Sequence, residues 1–235
     1  RDQRVHDNWA LLFAQKLDLG KKKSLVVIFN LVPDFLEATI RQYGFMIKGL
    51  QEAESELYKY NIPFFLLAGK PDKQIPEFLK QINASILVSD FDPLRIKRIW
   101  KRDVAKQISI PFYEVDAHNI APCLIVSDKL EFAAYTIRPK IHKALIEFMD
   151  EFPSLIKMSK SVISPDKIDW IEIQKSFKIN FDVQEIDWLK PGEGAAQKTF
   201  NHFLKNKFEN YHDLRNDPTK DYQSNLSPYI HFGQI

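Results

Sequence analysis

From residue 5 to about residue 126, short apolar runs alternate with longer segments whose apolar positions recur at helical spacing. That alternation is the pattern of a parallel sheet covered by helices. The expected strands are Ser24-Leu25-Val26-Val27-Ile28-Phe29, Ile62-Pro63-Phe64-Phe65-Leu66-Leu67, Ser85-Ile86-Leu87-Val88-Ser89, Pro111-Phe112-Tyr113-Glu114-Val115 and Cys123-Leu124-Ile125-Val126. Most are nearly continuous in apolar residues, as strands covered on both faces should be. Helices are expected over 6–18, 34–59, 72–82, 93–108 and 130–149, with starts near Asp7, Asp34, Asp72 and Asp92, a residue type that caps helix N-termini. The sum is an α/β domain with a doubly wound parallel sheet.

The first helix begins almost at the chain start, so a sheet of this type is expected to lack its first strand here. Residues 150–190 are broken by Phe152-Pro153, Ser164-Pro165 and Pro191 and keep no clean period, which reads as an interdomain linker. Helical period returns from Pro191-Gly192-Glu193-Gly194 through Phe200, Phe203 and Leu204, with Pro191 at a helix entry. The expected organisation is therefore an α/β domain over 1–149, a linker over 150–190 and the start of a helical domain over 191–235. Arg1 at the front and Ile235 inside a helix just begun suggest a piece cut at both ends.

Composition narrows the chemistry. Thirty-three Lys and Arg against 31 Asp and Glu give a formal charge of +2, so bulk charge does not recruit nucleic acid and any such contact needs a local patch. The one cysteine, Cys123, allows no intrachain disulfide and reads as a small buried hydrophobe. Seven glycines include no dinucleotide fingerprint, the six histidines have no ligand spacing, and no metal site or hydrolytic triad is expected. Neither a membrane span nor a secretory leader is visible. Lys21-Lys22-Lys23 reads as an exposed turn, and the basic run Arg95, Lys97, Arg98, Lys101, Arg102 as the solvated face of a helix.

The most informative stretch is the last. Tyr211-His212-Asp213-Leu214-Arg215-Asn216-Asp217-Pro218-Thr219 is followed by Gln223-Ser224-Asn225-Leu226-Ser227-Pro228-Tyr229-Ile230-His231-Phe232-Gly233. Ser227 suits an N-cap and Pro228 a first helical residue, and such a helix end presents unpaired N–H groups and the positive end of its dipole. An anion is the natural partner, with the hydroxyls of Ser224 and Ser227 and the amide of Asn225 as further donors to a phosphate or diphosphate. The residues alone leave two readings open: that anion seat, or an ordinary capped helix that touches no ligand.

This arrangement resembles the flavin-binding segment of the photolyase and cryptochrome superfamily, and the resemblance is closest to the class II cyclobutane pyrimidine dimer photolyases. It is carried also by Arg4-Val5-His6-Asp7-Asn8-Trp9-Ala10-Leu11-Leu12, Arg41-Gln42-Tyr43-Gly44-Phe45-Met46-Ile47-Lys48-Gly49-Leu50 and Val88-Ser89-Asp90-Phe91-Asp92-Pro93-Leu94-Arg95. Pro111-Phe112-Tyr113-Glu114-Val115-Asp116-Ala117-His118-Asn119-Ile120-Ala121-Pro122 and Tyr135-Thr136-Ile137-Arg138-Pro139-Lys140-Ile141 continue it. The strings keep one order along the chain, with only the linker unmatched. The resemblance implies a light-driven DNA repair enzyme, a lyase in which reduced FAD donates an electron to a pyrimidine dimer flipped out of the duplex.

On that resemblance Tyr211, Ser224, Asn225, Leu226 and Ser227 bind FAD, and the α/β domain holds an antenna such as a deazaflavin or a folate. The catalytic residues are expected beyond Ile235, the partner is DNA containing cyclobutane pyrimidine dimers, and the intact protein is a monomer. Its place is intracellular, the cytoplasm of a prokaryote or the nucleus of a eukaryote. Two rivals are a cryptochrome-like photoreceptor that does not repair and a bare α/β nucleotide-binding or interaction domain without flavin.

Overall fold

The computed structural model describes residues 2–19 and 24–235; the expected turn at Lys21-Lys22-Lys23 lies outside them. In chain order the elements are α1 (Trp9–Leu19), β1 (Val27–Leu31), α2 (Ile40–Lys59), β2 (Phe64–Ala68), α3 (Pro71–Gln81), β3 (Leu87–Asp90), α4 (Arg95–Ala105), β4 (Phe112–Val115), α5 (Cys123–Val126), α6 (Ala134–Phe148), α7 (Trp170–Lys175), α8 (Glu193–Asn206), α9 (Tyr211–Leu214) and α10 (Ser227–Phe232). They gather into two compact units. One holds Asp2, His6–Leu31 and Tyr60–Ser164, and the other Gln3–Val5, Val32–Lys59 and Pro165–Ile235.

The first unit is the mixed α/β structure the alternating pattern implies. β1 pairs with β2 in parallel, Val27 opposite Phe64 through Leu31 opposite Ala68, and β3 pairs with β4, Leu87 opposite Phe112 through Asp90 opposite Val115. These are two separate two-stranded sheets, with no ladder joining them among the described residues. Parallel pairing needs a long crossover, which the chain supplies through α2 between β1 and β2 and through α4 between β3 and β4. α1 packs on β3 and β4, while α3 packs on β1, β2 and α4. Leu79 of α3, Leu87 of β3 and Val104 of α4 form a shared core with Ile75, Ala84, Ile108, Ile110 and Phe112 around it. Each such burial contributes about 1.5–3 kcal/mol.

Helix starts differ from the expected ones for reasons visible in the backbone. Leu36 and Glu37 both take positive φ, 48° and 57°, so no helix can run from Asp34, and α2 begins only at Ile40. Asp7 is likewise left-handed at φ 52°, and Asn8 becomes the capping residue of α1, its Oδ1 accepting from Leu11 N–H at 3.1 Å. Asp92 does act at a helix entry, accepting from Leu94 N–H at 3.0 Å just before α4.

The expected strand at Cys123–Val126 is a single helical turn, α5. The Asp116 carboxylate accepts from Asn119 N–H at 3.2 Å and Cys123 N–H at 3.0 Å, which folds the segment back on itself. Leu124 and Ile125 are left exposed, with no strand paired to them among the described residues. A four-residue apolar run has too little periodicity to separate the two outcomes.

The second unit is helical. α2 packs on α8, and Phe45, Leu189, Ala196 and Tyr229 form its core with Ile186, Leu226, Phe232 and Ile235 against them. Within the stretch read as linker, Asp169 accepts from the N–H groups of Ile171 and Glu172 and caps the short helix α7.

Candidate functional site

The polar segment near the C-terminal end is built on α8. Gly192 precedes that helix at φ 106°, a conformation that favours glycine. Its N–H donates to Gln234 Oε1 at 2.8 Å, and Gly194 N–H donates to Glu52 Oε1 at 2.7 Å, so the α8 entry is tied to both α2 and the end of α10. At the far end of α8, buried Phe203 meets the Tyr211 ring edge-on, centroids 5.1 Å apart. The Arg215 guanidinium sits 5.5 Å from the Tyr211 centroid on a cation–π contact. Tyr211 is thus fixed at the start of α9 between an aromatic wall and a cation.

The loop from Arg215 to Leu226 is closed by polar clips. Lys207 Nζ, just past α8, donates to Asp221 Oδ1 at 2.7 Å and to the Gln223 carbonyl at 3.3 Å, and the Gln223 side chain donates to the Arg215 carbonyl. Asp217 Oδ1 accepts from the Thr219 hydroxyl at 2.7 Å and from its N–H at 2.9 Å, bonds that lower the Asp217 pKa. Asn225 then takes a left-handed φ of 57°, and Ser224 Oγ accepts from Leu226 N–H at 3.4 Å.

Ser227 is not the N-cap. The first intrahelical bond of α10 runs from Ile230 N–H to the Leu226 carbonyl at 3.0 Å, so Leu226 occupies the cap and Ser227 the first helical position, followed by Pro228. The cause is local: the turn at Asn225 brings Leu226 into helical dihedrals, φ −85° and ψ −16°, one residue early. The ladder therefore leaves the N–H groups of Ser227 and Tyr229 outside it, and Pro228 has none. The Ser227 side chain is exposed. Tyr229 anchors the run by inserting into the core, 1% exposed, its hydroxyl donating to the Lys190 carbonyl at 2.6 Å. Burial raises its pKa.

Of the five residues singled out from the sequence, Ser224, Asn225, Leu226 and Ser227 form one turn, and Tyr211 is attached to the same helix by a different handle. The donor set consists of two hydroxyls, a carboxamide and free main-chain N–H groups, with no carboxylate among residues 224–227. Its chemistry fits a diphosphate such as that of FAD.

Sequence reasoning missed three buried polar side chains in the α/β unit. Asn30 Oδ1, Ser89 Oγ and His118 Nδ1 are buried without a hydrogen-bond partner among the described residues. Asn30 and Ser89 stand near the carboxyl ends of β1 and β3, the end at which α/β sheets bind ligands. His118 stacks on Phe91, centroids 5.8 Å apart, with Nδ1 3.7 Å from Asp2 Oδ2 and 3.9 Å from Asp116 Oδ1. The available signal was a polar residue near the end of an apolar strand run. Among the described residues no helix is long and apolar enough to cross a membrane.

The family profile described as DNA photolyase matches residues 1–157. A deoxyribodipyrimidine photo-lyase of Potorous tridactylus is 43% identical over 238 residues, covering 100% of this chain and 45% of the relative. The chain spans about half the length of the curated relatives it matches. Among solved structures, the Synechocystis sp. PCC6803 cryptochrome superposes with a TM-score of 0.76 at 19% identity, over 100% of this chain and 51% of the other. An archaeal photolyase from Sulfolobus tokodaii, solved with two FAD molecules, gives 0.69 at 20% identity, over 100% and 51%.

Proposed function

The chain belongs to the DNA photolyase family, and on that premise we propose that the protein it is part of splits cyclobutane pyrimidine dimers in DNA by light-driven electron transfer from reduced FAD. The observation that carries this reading is identity of 43% along the whole chain to a relative named for that lyase activity. The ordered strings set out above further favour the class II branch. In this reading residues 1–149 are an antenna-bearing α/β domain, 150–190 a linker and 191–235 the start of a helical FAD-binding domain.

Bound FAD supplies the light absorption and the one-electron chemistry. The chain's own share is binding and placement. Ser224, Asn225 and Ser227 donate hydrogen bonds to the diphosphate, Leu226 closes the turn, and Tyr211, held by Phe203 and Arg215, forms an aromatic wall. Asn30, Ser89 and His118 supply buried polar atoms for a second chromophore of deazaflavin or folate type in the α/β unit. The partner is damaged DNA, bound by a monomer in the prokaryotic cytoplasm or the eukaryotic nucleus.

The test is to purify the full-length protein, record its flavin absorbance and follow dimers in ultraviolet-irradiated DNA in light and in darkness. Light-dependent loss of dimers is expected. Flavin without repair would convert the reading to a photoreceptor, and absence of flavin to a plain α/β interaction domain.

A further inference from the structure

We propose that the outer face of α4 is a binding surface for the phosphates of duplex DNA. The helix Arg-Ile-Lys-Arg-Ile-Trp-Lys-Arg-Asp-Val-Ala carries five basic side chains against one acidic. They divide by direction. Lys101 turns inward, donating to the Asp90 carbonyl and pairing with Glu114 at 3.3 Å. Lys97 lies over the Trp100 ring at 4.8 Å and is half-buried, which lowers its pKa. Val104 faces the core. Arg95, Arg98 and Arg102 remain exposed, and with Ile99 they line an open hollow of about 360 Å³.

The charge on this face is only partly offset among the described residues. Asp103 is its one carboxylate, and it is shared between Arg102 at 3.2 Å and Lys106 at 3.5 Å. Glu114 is engaged by Lys101, and Asp92 accepts from Leu94 N–H. A helix face that merely solvates its charges interleaves both signs at i+3 and i+4, because like charges at that spacing destabilise the helix. Here Arg95, Arg98 and Arg102 stand at those spacings with nothing between them but Ile99. A bound anion removes that repulsion.

Seven residues of helix rise span about 10 Å, enough to meet neighbouring phosphates of one strand. Guanidinium forks suit phosphate oxygens in pairs. Ile99, at 36% exposed, is the sole apolar side chain of the hollow, too little for the apolar centre of a protein interface. The choice of DNA as the polyanion rests on the repair reading. The helix belongs to the first unit and the proposed flavin segment to the second.

The experiment measures binding of a short undamaged duplex to the full chain by fluorescence anisotropy across a salt series, in the dark and without flavin, so that failure of the repair reading does not enter. The variant is Arg95→Gln with Arg98→Gln and Arg102→Gln. The control is Lys70→Gln with Lys73→Gln and Lys80→Gln, exposed residues in and beside α3 that remove the same charge. Loss of the three contacts should weaken low-salt binding at least tenfold and reduce the slope of log K against log salt by about two to three, with the control near the parent.

Equal losses in variant and control overturn the proposal in favour of bulk charge, and no loss in either overturns it by placing the contacts elsewhere. Poly-glutamate competing as strongly as DNA, and losing binding in the same variant, overturns it in favour of an acidic protein partner. Should the glutamine variant fold poorly by circular dichroism, the three lysine substitutions at the same sites keep charge and helix. Those must still bind more weakly than the parent, because the fork is lost, and unchanged binding overturns the assignment.

Discussion

The Tyr229 hydroxyl donates to the main-chain carbonyl of Lys190 over 2.6 Å, linking the middle of α10 to the residue before the Pro191-Gly192 entry of α8. The same oxygen lies 3.4 Å from Thr199 Oγ1, and the ring packs against Phe45 with centroids 5.6 Å apart. The polar turn Ser224–Ser227 therefore derives its position from a buried aromatic anchor, not from contacts among its own side chains. A turn with this construction can present exposed donors and still be rigid.

Tyr229→Phe keeps the ring and removes the bond to the carbonyl of exposed Lys190. The expected loss is about 0.5–1.5 kcal/mol of unfolding free energy. Tyr229→Ala also empties the core position and should cost about 3–5 kcal/mol. Urea unfolding of both variants checks the order; a phenylalanine variant as stable as the parent would show that the Lys190 bond contributes nothing.

A second anchor is expected to reveal itself through glycine. A Cβ on Gly49 would stand 2.1 Å from Gln234 Nε2, and Gln234 is fully buried, accepting from Gly192 N–H at 2.8 Å and donating to Gln3 Oε1 at 3.2 Å. Gly49→Ala should therefore destabilise by about 1–3 kcal/mol through overpacking, although alanine is the better helix former by roughly 1 kcal/mol. In a Gln234→Ala background the clash is gone and the sign should reverse. A double-mutant cycle measures the coupling; additive effects would exclude the contact.

The strands at Val27–Leu31, Phe64–Ala68, Leu87–Asp90 and Phe112–Val115 were legible because their apolar runs are bounded by helical segments and turn residues. Helix entries were not, since the positive φ at Asp7, Leu36 and Glu37 has no counterpart in periodicity. Cys123–Val126 failed as a strand because pairing is a property of neighbours, and here Asp116 takes the Cys123 N–H while the Pro122 carbonyl takes those of Ile125 and Val126. At the candidate site, the turn before Pro228 could be read from Ser224-Asn225-Leu226-Ser227, whereas the one-residue shift of the cap depended on the left-handed backbone of Asn225. Asn30, Ser89 and His118 stayed hidden because burial without a partner is a three-dimensional fact.

Alkaline pH should weaken the second unit. Burial, and secondarily the charge of Asp34, pushes the Tyr43 phenol from 10.0 up to about 12, and its hydroxyl donates to the Val32 carbonyl at 2.6 Å. A raised folded-state pKa means the folded state holds the proton more tightly. The contribution is complete below pH 10 and is lost as pH rises through about 12. Tyr43→Phe should remove the latest-titrating phenol seen by ultraviolet absorbance and flatten the fall of stability in that window. An unchanged titration curve in the variant would place the late phenol elsewhere.

In the full-length protein the two serines of the turn, Ser224 and Ser227, are expected to hold the flavin diphosphate. Each hydrogen bond to a charged phosphate contributes roughly 1.5–3 kcal/mol, or about a tenfold to hundredfold change in affinity. Ser224→Ala with Ser227→Ala should therefore empty much of the flavin site. Because Leu226 holds the cap and Ser227 makes no cap bond, the substitution at Ser227 should leave helix stability nearly unchanged, unlike loss of a capping serine at about 1 kcal/mol. Ser224 is expected to cost slightly more, since its Oγ accepts from Leu226 N–H at 3.4 Å. Flavin content per folded molecule and the urea midpoint, measured on the same preparations, separate binding from folding. Full flavin occupancy in the double variant would mean that the turn touches no phosphate and that the seat lies elsewhere in the protein.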